Sequence, residues 1–171
     1  MTNLQNFLDL IAFSEGTSTS RWTQNYGYDM LVGGLDDKVL QDHIFTDYTT
    51  HPFLTRPAKM IRRVPLLYST AAGRYQIIRP TWELLQKDLG FKNFDKFAQD
   101  CMAVELIRRQ GALDYIQAGI IEPAVYQCSK IWASFPGNHY GQPGGHTMEA
   151  LLTKYASIES TQSKTTDQQI I

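Results

Sequence analysis

Glu15 closes an apolar track. In FLDLIAFSEGT, residues 7–17, Leu4, Leu8 and Ile11 share one helical face with Phe7 and Ala12 beside them, and Glu15 continues the same i, i+4, i+7, i+11 spacing. The acid therefore points where the core points, and Gly16 directly after it predicts the end of the helix. Apolar neighbours and the partial negative charge of a helix C-terminus both disfavour a carboxylate anion. The spacing thus predicts a carboxyl group that keeps its proton toward neutral pH, as a general acid must. The bland alternative is a solvated glutamate at the end of a short helix.

Three segments are dense in glycine, aromatic and amide groups: SEGT at 14–17, TAAGRYQI at 70–77 and WASFPGNHYGQPGG at 132–145. Gly73 would let a backbone approach a ligand closely, while Tyr75 and Gln76 supply a flat face and a neutral donor–acceptor pair. Tyr140 and Gln142, bracketed by Gly137, Gly141, Gly144 and Gly145, repeat the combination. Carbohydrates are bound by such mixtures, and the nine tyrosines lean the same way. For any single segment, a glycine-rich turn with satisfied surface side chains explains the composition equally well.

The elements that must position these residues are mostly helices. Local punctuation predicts a helix from about Asn3 to Ser14, a second opening at Pro80 and stopping before Gly90, and a third capped by Asp95 and running to Gly111. On the third, Phe97, Cys101, Val104 and Ile107 or Arg108 form the expected inner face. After a short turn in ALDYIQAG, a fourth helix starts at Pro123, carries Val125, Cys128 and Trp132 inward, and stops at Pro136 and Gly137. Thr147 caps the last, with Met148, Leu151, Leu152 and Tyr155 on one side. Between Gly16 and Ser69 the pattern turns to aromatic and β-branched residues broken by Gly, Asp and Pro, which predicts a small sheet or hairpin, one wall of a cleft whose other wall is helical. The class is α+β. One domain is expected over 1–158, with the polar segment 159–171 as a flexible tail.

Composition removes other classes. A hydrophobic content of 43% in 171 residues suits one globular core, and a net charge of −1 gives no field toward nucleic acid or anionic membrane. Cys101 and Cys128 are too few for a disulfide scaffold and lack zinc-ligand spacing; buried thiols and a single bridge both stay open. His43, His51, His139 and His146 are scattered with no HExxH motif, so neither metal nor cofactor is expected. The opening MTNLQNFLDL has no basic leader and no continuous apolar run, and reads as neither signal peptide nor membrane anchor. Arg56, Lys59, Arg62 and Arg63 fall in TRPAKMIRRV with no acid among them, a solvated loop or a hold for an anionic polymer.

Taken together and in this order, SEGT, GYDMLVGG, FTDY with HP, TAAGRYQ, IWASFPG and YGQ resemble the bacteriophage lambda endolysin family of lytic transglycosylases, over about residues 6–155. They resemble the wider lysozyme-like superfamily more remotely. The resemblance implies a lysozyme-like fold, a mainly helical lobe and a small β region with the active-site cleft between them, and bacterial murein as substrate. It implies Glu15 as the catalytic acid, Tyr75, Gln76, Tyr140 and Gln142 as groove contacts, and roles at the substrate for Asp29 and Asp47, which match the pattern in GYD and FTDY. LDDKVLQDHI at 35–44 is longer than the family leads one to expect, and the KMIRRV stretch also diverges. The family reading further implies a monomer that accumulates in the host cytoplasm, acts on murein in the periplasm, and depends on a holin-like permeabilising protein for access. A muramidase using Asp29 or Asp47 as second carboxylate, and a wall-binding module that does not cut, are the alternatives.

Overall fold

The computed structural model describes residues 2–137 and 145–167. It divides into two compact units: one takes the chain up to Ser14 and again from Ala103, the other takes Glu15–Met102. The candidate acid is therefore the first residue of the second unit.

The first unit is helical. It holds α1 (Asn3–Ser14), and later α5 (Leu113–Gln117), α6 (Ile121–Cys128) and α7 (Met148–Asp167). α1 packs against α5 and α7, and α6 against the same pair. The face of α1 anticipated from its spacing is the buried one: Leu8 and Ile11 are covered, together with Phe7 and Leu10. Each such side chain contributes about 1.5–3 kcal/mol when fully removed from water. Phe7 meets Phe135 edge to face at 6.0 Å.

Two helices depart from the sequence reading. α6 begins at Ile121, which puts Pro123 third, where a missing amide hydrogen leaves no intrahelical bond unmade. It ends at Cys128 rather than at Pro136. The chain then turns through Ser129, whose hydroxyl donates to the Tyr126 carbonyl at 2.8 Å, and Trp132 and Phe135 are both buried beyond the helix. α7 starts on its anticipated cap, the Thr147 hydroxyl accepting from Ala150 N–H at 3.2 Å, and continues to Asp167, well past residue 158.

The second unit holds α2 (Leu40–His43), a 3-10 turn at Pro52–Leu54, the strands β1 (Lys59–Arg62) and β2 (Leu67–Ser69), and α3 (Arg79–Leu89). The strands form an antiparallel hairpin, Lys59 opposite Ser69 and Met60 opposite Tyr68, with a bulge before Arg62. α4 (Lys96–Arg109) begins in this unit and ends in the other. Asp95 caps it as expected, accepting from Ala98 N–H at 2.9 Å. Its inner face is only partly the one expected, with Ile107 buried as anticipated but Cys101 and Val104 only half-buried. Ala98, Met102, Leu106 and Ile107 are buried, whereas Phe97 is 68% exposed, because a polar residue, Gln99, occupies the interior and rotates the apolar track by one position.

A histidine organises the core here. His51 is fully buried among Phe53, Trp82 and Phe94, its ring 4.7 Å from Phe94. Its Nε2 lies 2.9 Å from the Ile77 carbonyl and its Nδ1 accepts from Phe53 N–H at 3.3 Å. That pairing needs the neutral ring with its hydrogen on Nε2, and burial pulls its pKa down to about 4.

The 35–44 segment explains the basic run. Lys59 is largely covered and its ammonium sits 2.8 Å from Asp37 while donating to the Asp42 carbonyl. Arg63 lies 3.3 Å from Asp36. The acids missing from TRPAKMIRRV are supplied by LDDKVLQDHI: Lys59 is covered and paired, and Arg63 is paired on the exposed surface. His43, at the end of the same segment, stacks on Trp22 with ring centres 4.3 Å apart.

Candidate active site

Ser14 is the last helical residue of α1, Glu15 follows it half-buried, and Gly16 turns the chain at φ +70°. Among the described residues, no atom outside its chain neighbours lies within 4 Å of where a Cβ on Gly16 would stand. Glycine is required there by backbone conformation, not by space. One residue on, the buried Thr17 hydroxyl donates to the Arg74 carbonyl at 2.6 Å. The two motifs SEGT and GRYQ are thus joined directly.

GRYQ is itself a tight turn. Ala72 and Ile77 exchange backbone hydrogen bonds of 3.0 and 2.9 Å, and residues 73–76 cross between them with positive φ at both ends, +76° at Gly73 and +48° at Gln76. A Cβ on Gly73 would stand 2.2 Å from Gln99 Oε1. The close approach anticipated at Gly73 is therefore real, but its partner is the side chain of Gln99 rather than a ligand. Gln99 Oε1 accepts from Arg74 N–H at 2.9 Å, and its Nε2 donates to the Tyr28 and Phe94 carbonyls at 3.1 and 3.0 Å. One buried amide ties three chain segments.

Asp100, the next residue of α4, does the same for rings. Its Oδ1 accepts from the phenols of Tyr75 and Tyr28 at 2.6 and 2.7 Å, and the two rings meet edge to face at 6.2 Å. Burial raises the pKa of Tyr28 to about 12 and that of Tyr75 further, so both stay protonated donors. The Arg74 guanidinium lies 5.2 Å from the Tyr28 ring centre and donates to the Tyr26 carbonyl.

These contacts sort the residues singled out in the sequence. Tyr75 is 1% exposed; its ring fills the interior and offers no open face. Gln76 is half-buried and donates to the Gly73 carbonyl at 3.0 Å. Asp29 is 3% exposed, and both its oxygens are engaged, Oδ1 by the Thr23 hydroxyl at 2.5 Å and Oδ2 by Gln24 N–H at 2.7 Å. Thr23 passes the support on, accepting from Gly27 N–H at 2.6 Å. Asp47 is exposed, and the hydroxyl and N–H of Thr49 at 2.6 and 2.9 Å hold its carboxyl below the usual range. Tyr140 and Gln142 lie outside the described residues. Thr17, Arg74, Gln99 and Asp100 went unnoticed in the sequence; the available signal was AQD, two polar residues together between the apolar residues of α4. Cys101 and Cys128 are both free thiols, burial pushing Cys128 up to about 12.

The chain is similar to known proteins over most of its length. The family model described as Endolysin matches residues 5–161. The endolysin of Escherichia phage P2 is 48% identical over 152 residues, covering 88% of this chain and 89% of that protein. The endolysin of Escherichia phage lambda is 42% identical over 156 residues, covering 91% and 90%. Among solved structures, bacteriophage lambda lysozyme complexed with a chitohexasaccharide superposes with a TM-score of 0.78 at 40% identity, across 93% of this chain and 96% of that one. Lysozyme from bacteriophage lambda gives 0.76 at 38%, across 92% and 95%. With the family model spanning most of its length and two curated endolysins sharing more than two residues in five, this chain belongs to the endolysin family and has the lysozyme-like fold of its lambda relative.

Proposed function

We propose that this endolysin cuts murein as a lytic transglycosylase, cleaving the β-1,4 bond between N-acetylmuramic acid and N-acetylglucosamine with Glu15 as its single catalytic carboxyl group. The observation that carries the reading is the state of the acids. Glu15 stands at a helix end, fastened two residues later to the GRYQ turn through Thr17, while Asp29 is buried with both oxygens occupied by protein donors. A retaining or inverting hydrolase needs a second carboxylate free to attack the sugar or a water. Asp29, one of the two candidates for that role, is spent on its own loop; Asp47 keeps one oxygen open, and the products formed decide against or for it.

A transglycosylase works with one acid. Protonated Glu15 gives its proton to the glycosidic oxygen as that bond breaks and positive charge builds on the muramyl ring. The muramyl 6-hydroxyl oxygen then bonds to the anomeric carbon, and its proton returns to the Glu15 carboxylate. The ring closes as a 1,6-anhydro sugar and the enzyme recovers its starting form, with no water consumed. The 2-acetamido group supports the cationic centre between the two steps. The relative solved with a chitohexasaccharide supports glycan binding here, with Gln76, Tyr140 and Gln142 as contacts. In the cell, the protein is a monomer that collects in the host cytoplasm and reaches periplasmic murein once a holin-like protein opens the membrane.

Mass spectrometry of digested murein tests this. Fragments ending in anhydromuramic acid, one water lighter than reducing ends, are expected. Reducing ends alone would make the protein a muramidase.

A further inference from the structure

A second feature of the Glu15–Met102 unit has no part in that chemistry. A pocket of about 170 Å³ is floored by the buried Phe45 and Pro52 and edged by Asp47, Thr50, Thr55 and Arg56. Its volume suits one side-chain end; drug-sized ligands need roughly 300 Å³ or more. The pocket carries one fixed charge of each sign, and the two do not pair with each other among the described residues. Asp47 is held by Thr49 through Oδ1 alone, which leaves Oδ2 as an open acceptor. Arg56 makes a single long contact, 3.4 Å to the Gln41 carbonyl of α2, and so keeps the rest of its donor fork.

Two opposite charges kept apart in one small pocket match a zwitterion. A neutral sugar ring would cover both and neutralise neither, at a desolvation cost. We propose that this pocket binds the end of the diamino acid in the murein stem peptide, whose last carbon bears both an ammonium and a carboxylate. The inference rests on murein being the substrate. Asp47 Oδ2 accepts from the ammonium and the Arg56 guanidinium grips the carboxylate side-on, the geometry for which arginine is built. Since Gln41 belongs to the 35–44 segment, that segment helps to aim Arg56 and thereby selects for the carboxylate.

The test is a titration of the full chain with the tripeptide L-Ala-γ-D-Glu-meso-diaminopimelate, followed by amide NMR, beside the same peptide ending in lysine, which keeps the ammonium and lacks the carboxylate. Saturable shifts confined to residues 45–56 are expected, with the lysine peptide about tenfold weaker. Arg56→Gln should bind both peptides alike, at the weaker value. Asp47→Asn should weaken both by a similar factor. Equal affinity of the two peptides for the unaltered protein, shifts elsewhere, or the same shifts produced by an N-acetylglucosamine trimer would overturn the proposal. Its failure is separable from failure of the transglycosylase reading: anhydromuramyl products without peptide binding sink the pocket alone, and peptide binding without those products sinks the reaction.

Discussion

Asp29 and Asp47 come from similar surroundings in the sequence, GYD and FTDY, and do opposite things. Asp29 is 3% exposed with both oxygens filled from its own loop; Asp47 is exposed with one oxygen held and the other open. The first builds and the second is available to bind. The same division runs through the unit: Tyr75, Gln99 and His51 are buried and spent on the frame, while Glu15 and Gln76 keep partial access to solvent. A residue type that can do chemistry does it only where the protein has not already used its donors and acceptors.

Substitutions can break or sharpen that division. The largest effect belongs to Glu15→Gln, which should lower murein clearance by roughly 10²–10⁴-fold with the melting temperature unchanged, because an amide has no proton to give. A turbidity assay on permeabilised Gram-negative cells, with calorimetry alongside, checks both halves. Next is His51. Its folded pKa, about 4, lies below the ordinary 6.5, so the unfolded chain binds the extra proton first as pH drops. Stability from this group is full above 6.5 and falls away toward 4, by about 3 kcal/mol in all. Denaturant melts at pH 7 and 4.5 should show the loss, and His51→Gln should flatten it.

Gly73→Ala combines a positive φ with a Cβ placed on the Gln99 amide, and should cost on the order of 2–3 kcal/mol. Its melting point and its activity should fall together, unlike those of the Glu15 variant. Asp29→Asn replaces an acceptor oxygen with a donor facing Thr23 or Gln24 and should cost about 2 kcal/mol. Asp47→Asn should leave the melting curve where it is. If the two aspartate variants melted alike, the contrast between them would be void.

Much of the frame was readable because its signals are local. Pro80, Asp95, Thr147 and the stop at Gly90 each act within one helical turn, and the elements begin and end within a residue or so of where these signals lie. The place of Glu15, just past the end of α1 and half-buried, was readable for the same reason. What failed was non-local. Gln99 reads as a surface amide until the segments it bridges, at 28, 74 and 94, are folded around it, and the inner face of α4 was partly misplaced in consequence. Tyr75 looked like a platform because nothing nearby in sequence reveals Asp100, twenty-five residues on. The basic run looked unpaired because its acids lie some twenty residues upstream.

That last pairing bears on how the protein could be re-engineered. Lys59 reaches into the 35–44 segment for both a carboxylate and a carbonyl, so the segment and the hairpin are a matched cassette. Shortening one while keeping the other would strand a lysine among covered groups. Anyone trading parts between relatives should move residues 35–69 as one piece.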